Sequence, residues 1–226
     1  MTFETNYRYV DRETKAMYVW LKYGPILTGR VLDVGADQCY LKKHLPAGTS
    51  YFGIGRGDSL DQQVDLEQIP LPFPDSSFDC VLCLDVLEHL GNIHDVFDEL
   101  CRIARRYLII SLPNPYALFY RWIRCGHRPG TPHPMKFYGL PTGKPEDRHR
   151  WFFGSAEAEN FIREGAARNH MTLLQLDREN DTQSNLSRRF RIFVRNLLAG
   201  GGPTWQDTHA GTMWAVLEKQ RIPEKS

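Results

Sequence analysis

The sequence has no excess of charge of either sign. Its 226 residues include 28 Lys and Arg against 27 Asp and Glu, so the net charge is +1. Surfaces that bind nucleic acid need clustered excess positive charge, and we therefore expect no nucleic acid among the partners. A helix with four arginines follows late in the chain, at Arg188, Arg189, Arg191 and Arg195. A solvated helix face is favoured there over a site for an anionic partner.

Long apolar runs are also missing. No run reaches the length that crosses a bilayer, and residues 1–9 are polar, without the apolar centre of a signal peptide. We therefore expect a cytoplasmic protein that does not associate with membranes.

Cysteine is scarce, and the five cysteines are scattered. Cys80 and Cys83 form a C-x-x-C pair, but they lie in a strand-like apolar run, where side chains alternate between the two faces. This placement predicts reduced core thiols and disfavours a metal or redox site.

The residues that are present indicate one α/β domain. Short apolar runs at 30–35, 50–54, 64–66, 78–84 and 107–112 are predicted to be strands, and Val96, Phe97, Leu100 and Ile103 form the apolar stripe of a helix before the last of them. This alternation predicts βαβ units around a parallel sheet. The runs are dense in Val, Ile and Leu, which is typical of strands covered on both faces.

The second half is less regular. Residues 113–150 are rich in proline and aromatic residues, and they are predicted to form a lid over an acceptor site. A helix is predicted to begin with Ser155 as its N-cap and to end at Asn169 as a left-handed C-cap. A strand at 171–176, an amphipathic helix at 187–198, a turn or flexible link at 200–203 and a last strand at 211–217 should follow.

Two segments carry the chemistry. Val31-Leu32-Asp33-Val34-Gly35 is a buried strand that ends in an acid and a glycine, as nucleotide-binding strands do. The segment 65–79 reads Asp-Leu-Glu-Gln-Ile-Pro-Leu-Pro-Phe-Pro-Asp-Ser-Ser-Phe-Asp, and 84–90 reads Leu-Asp-Val-Leu-Glu-His-Leu.

This pattern resembles the class I S-adenosylmethionine-dependent methyltransferases, in the methyltransferase-11 or MetW-like branch. The resemblance runs from about residue 31 to residue 112, and 65–90 is its most specific part. It implies a Rossmann-like sheet of seven strands with the last strand antiparallel, helices on both faces, and S-adenosylmethionine as cofactor.

The resemblance also implies roles for single residues. Gly35 would let the backbone approach the methionine end of the cofactor, with Asp33 behind the ammonium group. Asp65 would accept a hydrogen bond from the adenine, with Leu66 beside it. Leu84 and Asp85 would lie next to the methionine moiety.

The chain departs from the family's D-x-G-x-G-x-G loop. Asp37 and Cys39 stand where the family has glycine, and Gly55 follows the second strand where the family has an acid that binds the ribose. A carboxylate at Asp37 would face the carboxylate of the cofactor. Asp58 is the candidate to replace the missing acid if its loop curls back.

Two hypotheses concern His89. It could act as a general base, because histidine titrates near neutral pH, or it could simply pack at the end of its strand. Asp85, Glu88 and His89 also match the D/E-x-x-E-H spacing of some magnesium-assisted methyltransferases, but the interpretation without a metal is favoured.

Aromatic and histidine side chains of the lid are candidates for the acceptor pocket, namely Tyr116, Trp122 and His149, together with Trp151 just after it. The leading hypothesis is methyl transfer to a small-molecule acceptor. The alternative is a binding or accessory subunit of the same fold that has lost turnover. Such a subunit would act with a protein partner or as a homo-oligomer. A nicotinamide-dependent enzyme is disfavoured because G-x-G-x-x-G is absent.

Overall fold

The computed structural model describes residues 2–126, 133–145, 147–179 and 186–220. The strands are β1 (Arg30–Val34), β2 (Ser50–Gly55), β3 (Gln62–Gln63), β4 (Phe78–Leu84), β5 (Ala104–Leu112), β6 (Met171–Arg178) and β7 (Met213–Lys219). The α-helices are α1 (Arg12–Tyr23), α2 (Ile93–Ile103), α3 (Pro115–Cys125), α4 (Pro134–Tyr138), α5 (Ser155–Arg168), α6 (Leu186–Leu198) and α7 (Trp205–His209). Three short 3₁₀ helices span Gly24–Ile26, Tyr40–His44 and Leu87–His89.

The seven strands form one sheet in the order β3-β2-β1-β4-β5-β7-β6. Strands β1 to β5 pair in parallel, and β7 lies antiparallel between β5 and β6. The predicted fold class, a Rossmann-like and mostly parallel sheet with helices on both faces, is therefore confirmed. The strand order reverses between the neighbouring strands β1 and β4, and sheets of this kind bind ligands at such a point.

Each face of the sheet has its own apolar core. On one face, α2 and α5 pack through Phe97, Leu100 and Ile162 against the strands. On the other, α1 places Tyr18, Val19 and Tyr23 around Trp214 of β7. The dense apolar strands are thus covered on both sides, as their composition predicts.

Helix α1 is not evident from periodicity. Its buried residues include Tyr18, Lys22 and Tyr23, so its inward face is not recognisably apolar. Its start is fixed locally, because the Asp11 carboxylate accepts from the backbone N–H of Thr14 and the Thr14 hydroxyl oxygen accepts from the N–H of Asp11.

Three local predictions are wrong. The apolar run 64–66 is not a strand: β3 comprises Gln62–Gln63, and Val64 and Leu66 turn inward into the core. The N-cap of α5 is Gly154 rather than Ser155, since the Glu157 carboxylate accepts from the Gly154 N–H. Asn169 has φ −103°, and the left-handed residue after α5 is His170 with φ +54°.

The cysteines match the prediction of core thiols at three positions. Cys80, Cys83 and Cys101 are buried, and all five cysteines are free. Burial raises the pKa of the Cys80 and Cys83 thiols, which keeps them in the unreactive neutral form. In the described parts of the chain, no helix has the length and apolar character needed to span a membrane.

Candidate active site

A large cavity of about 1170 Å³ opens at the carboxyl ends of the central strands. Its floor is formed by Asp33 and Gly35 at the end of β1, Leu84 and Asp85 at the end of β4, and Pro113 after β5. Helices α1, α3 and α4 and the segment 147–149 form its walls. The cavity therefore lies at the edge where a doubly wound sheet binds nucleotides.

Gly35 lets the chain turn where no other residue would fit. It has φ +76°, and a Cβ built on it would lie 2.3 Å from Val86 Cγ2. Asp33, before it, is buried and accepts a hydrogen bond from the Tyr51 hydroxyl at 2.8 Å. Burial raises the pKa of Asp33 to about 6, although the Tyr51 hydrogen bond and the charge of Lys15 oppose that rise. The floor thus holds one acid poised between its two protonation states.

The altered loop keeps a backbone that glycine would adopt. Asp37 and Cys39 have φ +51° and φ +54°, both in the left-handed region. The Asp37 carboxylate lies 2.6 Å from a guanidinium nitrogen of Arg12, so its charge is balanced from α1. Cys39 packs against Gly53, where an added Cβ would lie 2.7 Å from the Cys39 sulfur. Arg12 thus balances the charge of Asp37, and Gly53 leaves space for the side chain of Cys39.

The edge of β2 has no acid that faces the cavity. Gly55 has φ +148°, and a Cβ there would lie 3.3 Å from the Gly35 Cα, so the position suits glycine. Asp58 is exposed and is not part of the cavity wall. Arg56 and Gly57 line the cavity instead.

The predicted adenine contacts lie beside the cavity rather than in its wall. The Asp65 carboxylate accepts from Arg56 at 2.9 Å and from the backbone N–H of Glu67 at 3.2 Å, and these hydrogen bonds lower its pKa. Leu66 is buried in the core. Arg56 connects Asp65 to the cavity, so the adenine role of Asp65 stays a prediction.

Lys15 is a site residue that the sequence did not reveal. Its ammonium nitrogen lies 2.5 Å from Asp85 Oδ2 and 5.0 Å from the ring centre of Trp214. The Ser111 hydroxyl donates to Asp85 Oδ1 at 2.6 Å. Burial alone would raise the pKa of Asp85, but Lys15 and the hydrogen bonds from Lys15 and Ser111 outweigh it and lower that pKa. Asp85 is therefore an ionised acid with both oxygens engaged.

His89 is oriented by the segment that closes the cavity. Its Nδ1 lies 3.1 Å from the Arg148 carbonyl oxygen and 2.9 Å from Asp147 Oδ1. A carbonyl oxygen can only accept, so Nδ1 carries a proton, and Nε2 has a free lone pair when the ring is neutral. Nε2 lies 3.8 Å from Glu88 Oε1. This arrangement is the one that a general base requires.

His149 is held in the same way. The Tyr138 hydroxyl donates to the Trp151 carbonyl at 3.1 Å, and it therefore accepts from His149 Nδ1 at 2.9 Å. The ring of His149 stacks on Phe137 with centroids 4.1 Å apart. Burial, and then the charge of His89, lower the pKa of His149 to about 4, so it is neutral at physiological pH.

Glu88 lies between the two histidines, and it is fully buried. Neither of its carboxyl oxygens has a hydrogen-bond partner among the described residues, and burial followed by the charge of Asp85 raises its pKa well above the ordinary value. Glu88, His89 and His149 each offer one ligand atom within 4.8 Å of the others, a spacing that could hold a divalent cation. This group differs from the Asp85, Glu88 and His89 group considered from the sequence. Asp85 is engaged by Lys15 and Ser111, and His149 takes its place.

The other predicted acceptor residues lie behind the cavity wall. Tyr116 packs on Phe152, with ring centroids 4.9 Å apart, and Trp122 packs near His133 at 5.2 Å. The Trp151 indole donates to the Leu90 carbonyl at 2.7 Å. The wall is formed instead by neighbours of these residues in the same segment, namely Asn114, Pro115, Ala117, Leu118, Arg121, Lys136, Phe137 and Tyr138.

Comparison with known proteins gives three results. Residues 52–110 match the family model described as a methyltransferase domain. No curated protein matches the chain. Many solved structures do, at low sequence identity.

Three of these structures represent the range. A S-adenosylmethionine-dependent methyltransferase from Archaeoglobus fulgidus is 16% identical, with 92% of this chain and 95% of that chain covered and a TM-score of 0.55. Magnesium protoporphyrin IX methyltransferase from Synechocystis PCC 6803, solved with bound S-adenosylhomocysteine, is 17% identical, with 92% and 83% covered and a TM-score of 0.54. The [4+2]-cyclase SpnF is 15% identical, with 98% and 86% covered and a TM-score of 0.56.

These similarities establish the fold. One of the similar structures is a cyclase, so proteins of this fold catalyse more than one kind of reaction. The family match covers the most specific part of the sequence pattern, from β2 to β5. Residues 52–110 thus resemble a methyltransferase domain, and the seven-stranded sheet has the fold of class I S-adenosylmethionine-dependent methyltransferases.

Proposed function

We propose that the protein transfers a methyl group from S-adenosylmethionine to a small-molecule acceptor in the large cavity. The observation that carries the proposal is the arrangement of the cavity floor. Gly35 supplies the close backbone approach, and Asp33 and Asp85 supply acids at adjacent strand ends. A cofactor with a positively charged ammonium and sulfonium is complementary to these acids.

The residues present fit such a cofactor at its methionine end. The left-handed conformations of Asp37 and Cys39 keep the loop open, and Arg12 neutralises Asp37, which would otherwise repel a carboxylate. The fit is weaker at the ribose, because Gly55 at the end of β2 takes the place of an acid and Asp58 is exposed to solvent. We expect binding that is retained but weaker than a ribose-binding acid would allow, by about one to two decades of affinity.

The chemistry that the cofactor supplies is an activated methyl group. The chain contributes positioning, exclusion of water and removal of a proton. In this proposal His89 takes the acceptor proton at Nε2, while Asp147 and the Arg148 carbonyl hold the opposite edge of its ring. The described parts of 113–150 close the cavity, because α3, α4 and 147–149 all contribute to its wall.

The alternative is a binding or accessory subunit of the same fold. It is favoured by Gly55 and by the Lys15–Asp85 ion pair, which already neutralises an acid of the floor. Cofactor binding without turnover would support it.

Calorimetry with S-adenosylmethionine and S-adenosylhomocysteine tests the proposal directly. We expect one site per chain, and Gly35→Val should abolish it because its side chain would collide with Val86. The matched control is Gly143→Val, where an added Cβ meets nothing within 4 Å. Absence of binding up to millimolar ligand by the native chain would contradict the proposal. If binding is found, a screen of small acceptors for methylated product separates an enzyme from an accessory subunit.

A further inference from the structure

Helix α6 turns an apolar face toward solvent. Its exposed apolar residues, with their exposed fractions, are Leu186 (79%), Phe190 (66%), Phe193 (63%), Leu197 (71%) and Leu198 (82%). The first four follow the three- and four-residue spacing of one helix face. A continuous exposed patch of this size on a polar chain marks an interaction surface.

The same helix and its neighbour α3 concentrate positive charge. Their sequences contain four arginines in α6 and two in α3, and no acidic residue in either helix. The whole chain has a net charge of only +1, so positive charge is segregated onto this pair of helices. Segregated charge of one sign attracts a partner of the opposite sign.

A groove of about 300 Å³ separates the two helices. It is lined by Tyr120 and Arg124 of α3 and by Arg191, Ile192 and Arg195 of α6. Arg124 donates to the Tyr120 hydroxyl at 3.0 Å, and Arg195 donates to the Pro203 carbonyl at 3.2 Å. In the part of the chain that the structure describes, none of these three arginines forms an ion pair with a carboxylate. The groove is therefore suited to an anionic group such as a phosphate.

We infer that α6 and the basic groove bind the surface of a membrane that contains anionic phospholipids. The apolar face of α6 lies among the upper parts of the acyl chains, and the arginines contact headgroup phosphates. A helix in this position lies in the interface and does not cross the bilayer. The inference therefore differs from the expectation, based on the missing apolar run and the balanced net charge, that the protein does not associate with membranes.

The charge distribution favours a lipid surface over a second copy of the chain. A two-fold interface would bring two copies of this positively charged surface together, with no acidic residue on either helix to offset their repulsion. Helix α3 also connects this surface to the large cavity, because its residues Pro115, Leu118 and Arg121 line that cavity.

Vesicle flotation with the full chain tests the inference. The probes are phosphatidylcholine vesicles without and with about one third phosphatidylglycerol, the anionic lipid. We expect binding to the anionic vesicles to be stronger by on the order of tenfold and to weaken with salt, because headgroup attraction is screened. The variant pairs Phe190→Ser with Phe193→Ser, and Arg191→Glu with Arg195→Glu, should each lose that binding.

The control pair is Val10→Ser with Leu21→Ser, which removes exposed apolar residues elsewhere and should leave binding unchanged. Circular dichroism checks that each variant is folded. If the Phe190→Ser and Phe193→Ser variant does not fold, the Arg191→Glu and Arg195→Glu variant still tests the inference. Absence of native binding to anionic vesicles, or binding by both α6 variants that equals that of the native chain, would overturn the inference. A dimer that the phenylalanine pair converts to monomer, with no vesicle binding, would assign the face to a second copy. None of these readouts requires methyl transfer, so the inference can fail while the proposed function stands.

Discussion

The guanidinium of Arg12 lies 2.6 Å from the carboxylate of Asp37, which occupies a left-handed position in the loop after β1. The pair joins helix α1 to the loop that departs from the family's glycines. It explains how an acid can be tolerated where a cofactor carboxylate is expected, since Arg12 balances its charge. Asp37 and Arg12 thus form one ion pair at the edge of the cavity.

We predict that Arg12→Ala weakens binding of S-adenosylhomocysteine by about fivefold, because an unbalanced Asp37 then faces the ligand carboxylate. Asp37→Gly added to Arg12→Ala should restore the native affinity. Both are measured by calorimetry. Equal affinities of the native chain and Arg12→Ala would show that Asp37 does not face the ligand.

The pKa of Asp33 predicts how binding depends on pH. Its pKa of about 6 means that the carboxylate needed for a ligand ammonium is lost as the pH falls through 6. Affinity for S-adenosylhomocysteine should therefore drop about tenfold from pH 7 to pH 5. Asp33→Asn should bind weakly with a flat profile.

Two variants sharpen that measurement. Tyr51→Phe removes a hydrogen bond that lowers the Asp33 pKa, so the midpoint should move to higher pH. Asp79→Asn changes an acid that pairs with Arg105 outside the cavity wall, and it should leave the profile unchanged. A native profile without a midpoint near pH 6 would contradict the role of Asp33.

Asp65 and Arg56 can be separated by substitution. We predict that Asp65→Ala weakens S-adenosylhomocysteine binding about tenfold, because an adenine amino group loses its acceptor. Arg56→Ala should have a smaller effect if Asp65 contacts the ligand itself. If both variants lose affinity equally, Asp65 acts only by orienting Arg56, whose side chain reaches the cavity.

Glu88 and Glu99 should respond in opposite ways to the same substitution. Burial and the charge of Asp85 raise the pKa of Glu88 well above its ordinary value, so we expect Glu88→Gln to replace one neutral group by another and to leave the melting temperature unchanged at neutral pH. The Glu99 carboxylate is ionised and accepts from Arg102 and from the Leu71 N–H, so Glu99→Gln should cost about 1.5–3 kcal/mol. Thermal unfolding is measured with a chelator present, which removes any divalent cation from the cluster. A large loss for Glu88→Gln under these conditions would show that its carboxylate is ionised.

The sheet was predictable because its strands are local patterns. The run 78–84 is a strand at those bounds, and β1, β2 and β7 begin or end within two residues of their predictions. The strand prediction for 64–66 was wrong because an apolar stretch this short can be buried without pairing in a sheet. Here the chain turns, and the apolar side chains of the stretch pack into the core.

The candidate site was only partly predictable, because its contacts join distant parts of the chain. Asp33, Gly35, Asp85, His89 and His149 could be named from the sequence, and all five line the cavity. Lys15 meets Asp85 across 70 residues, and nothing in the α1 sequence distinguishes this lysine from a surface lysine. The fit of Cys39 against Gly53 likewise depends on packing that no local pattern encodes.

The position of β7 has a consequence for the order of assembly. This last strand lies between β5 and β6, and its Trp214 contacts Tyr9, Tyr18 and Tyr23 at the other end of the chain. Helix α1 therefore leaves the ribosome long before its docking surface has been synthesised. Because α1 carries Arg12 and Lys15, which line the cavity, this part of the cavity wall lacks its docking surface until β7 has been synthesised.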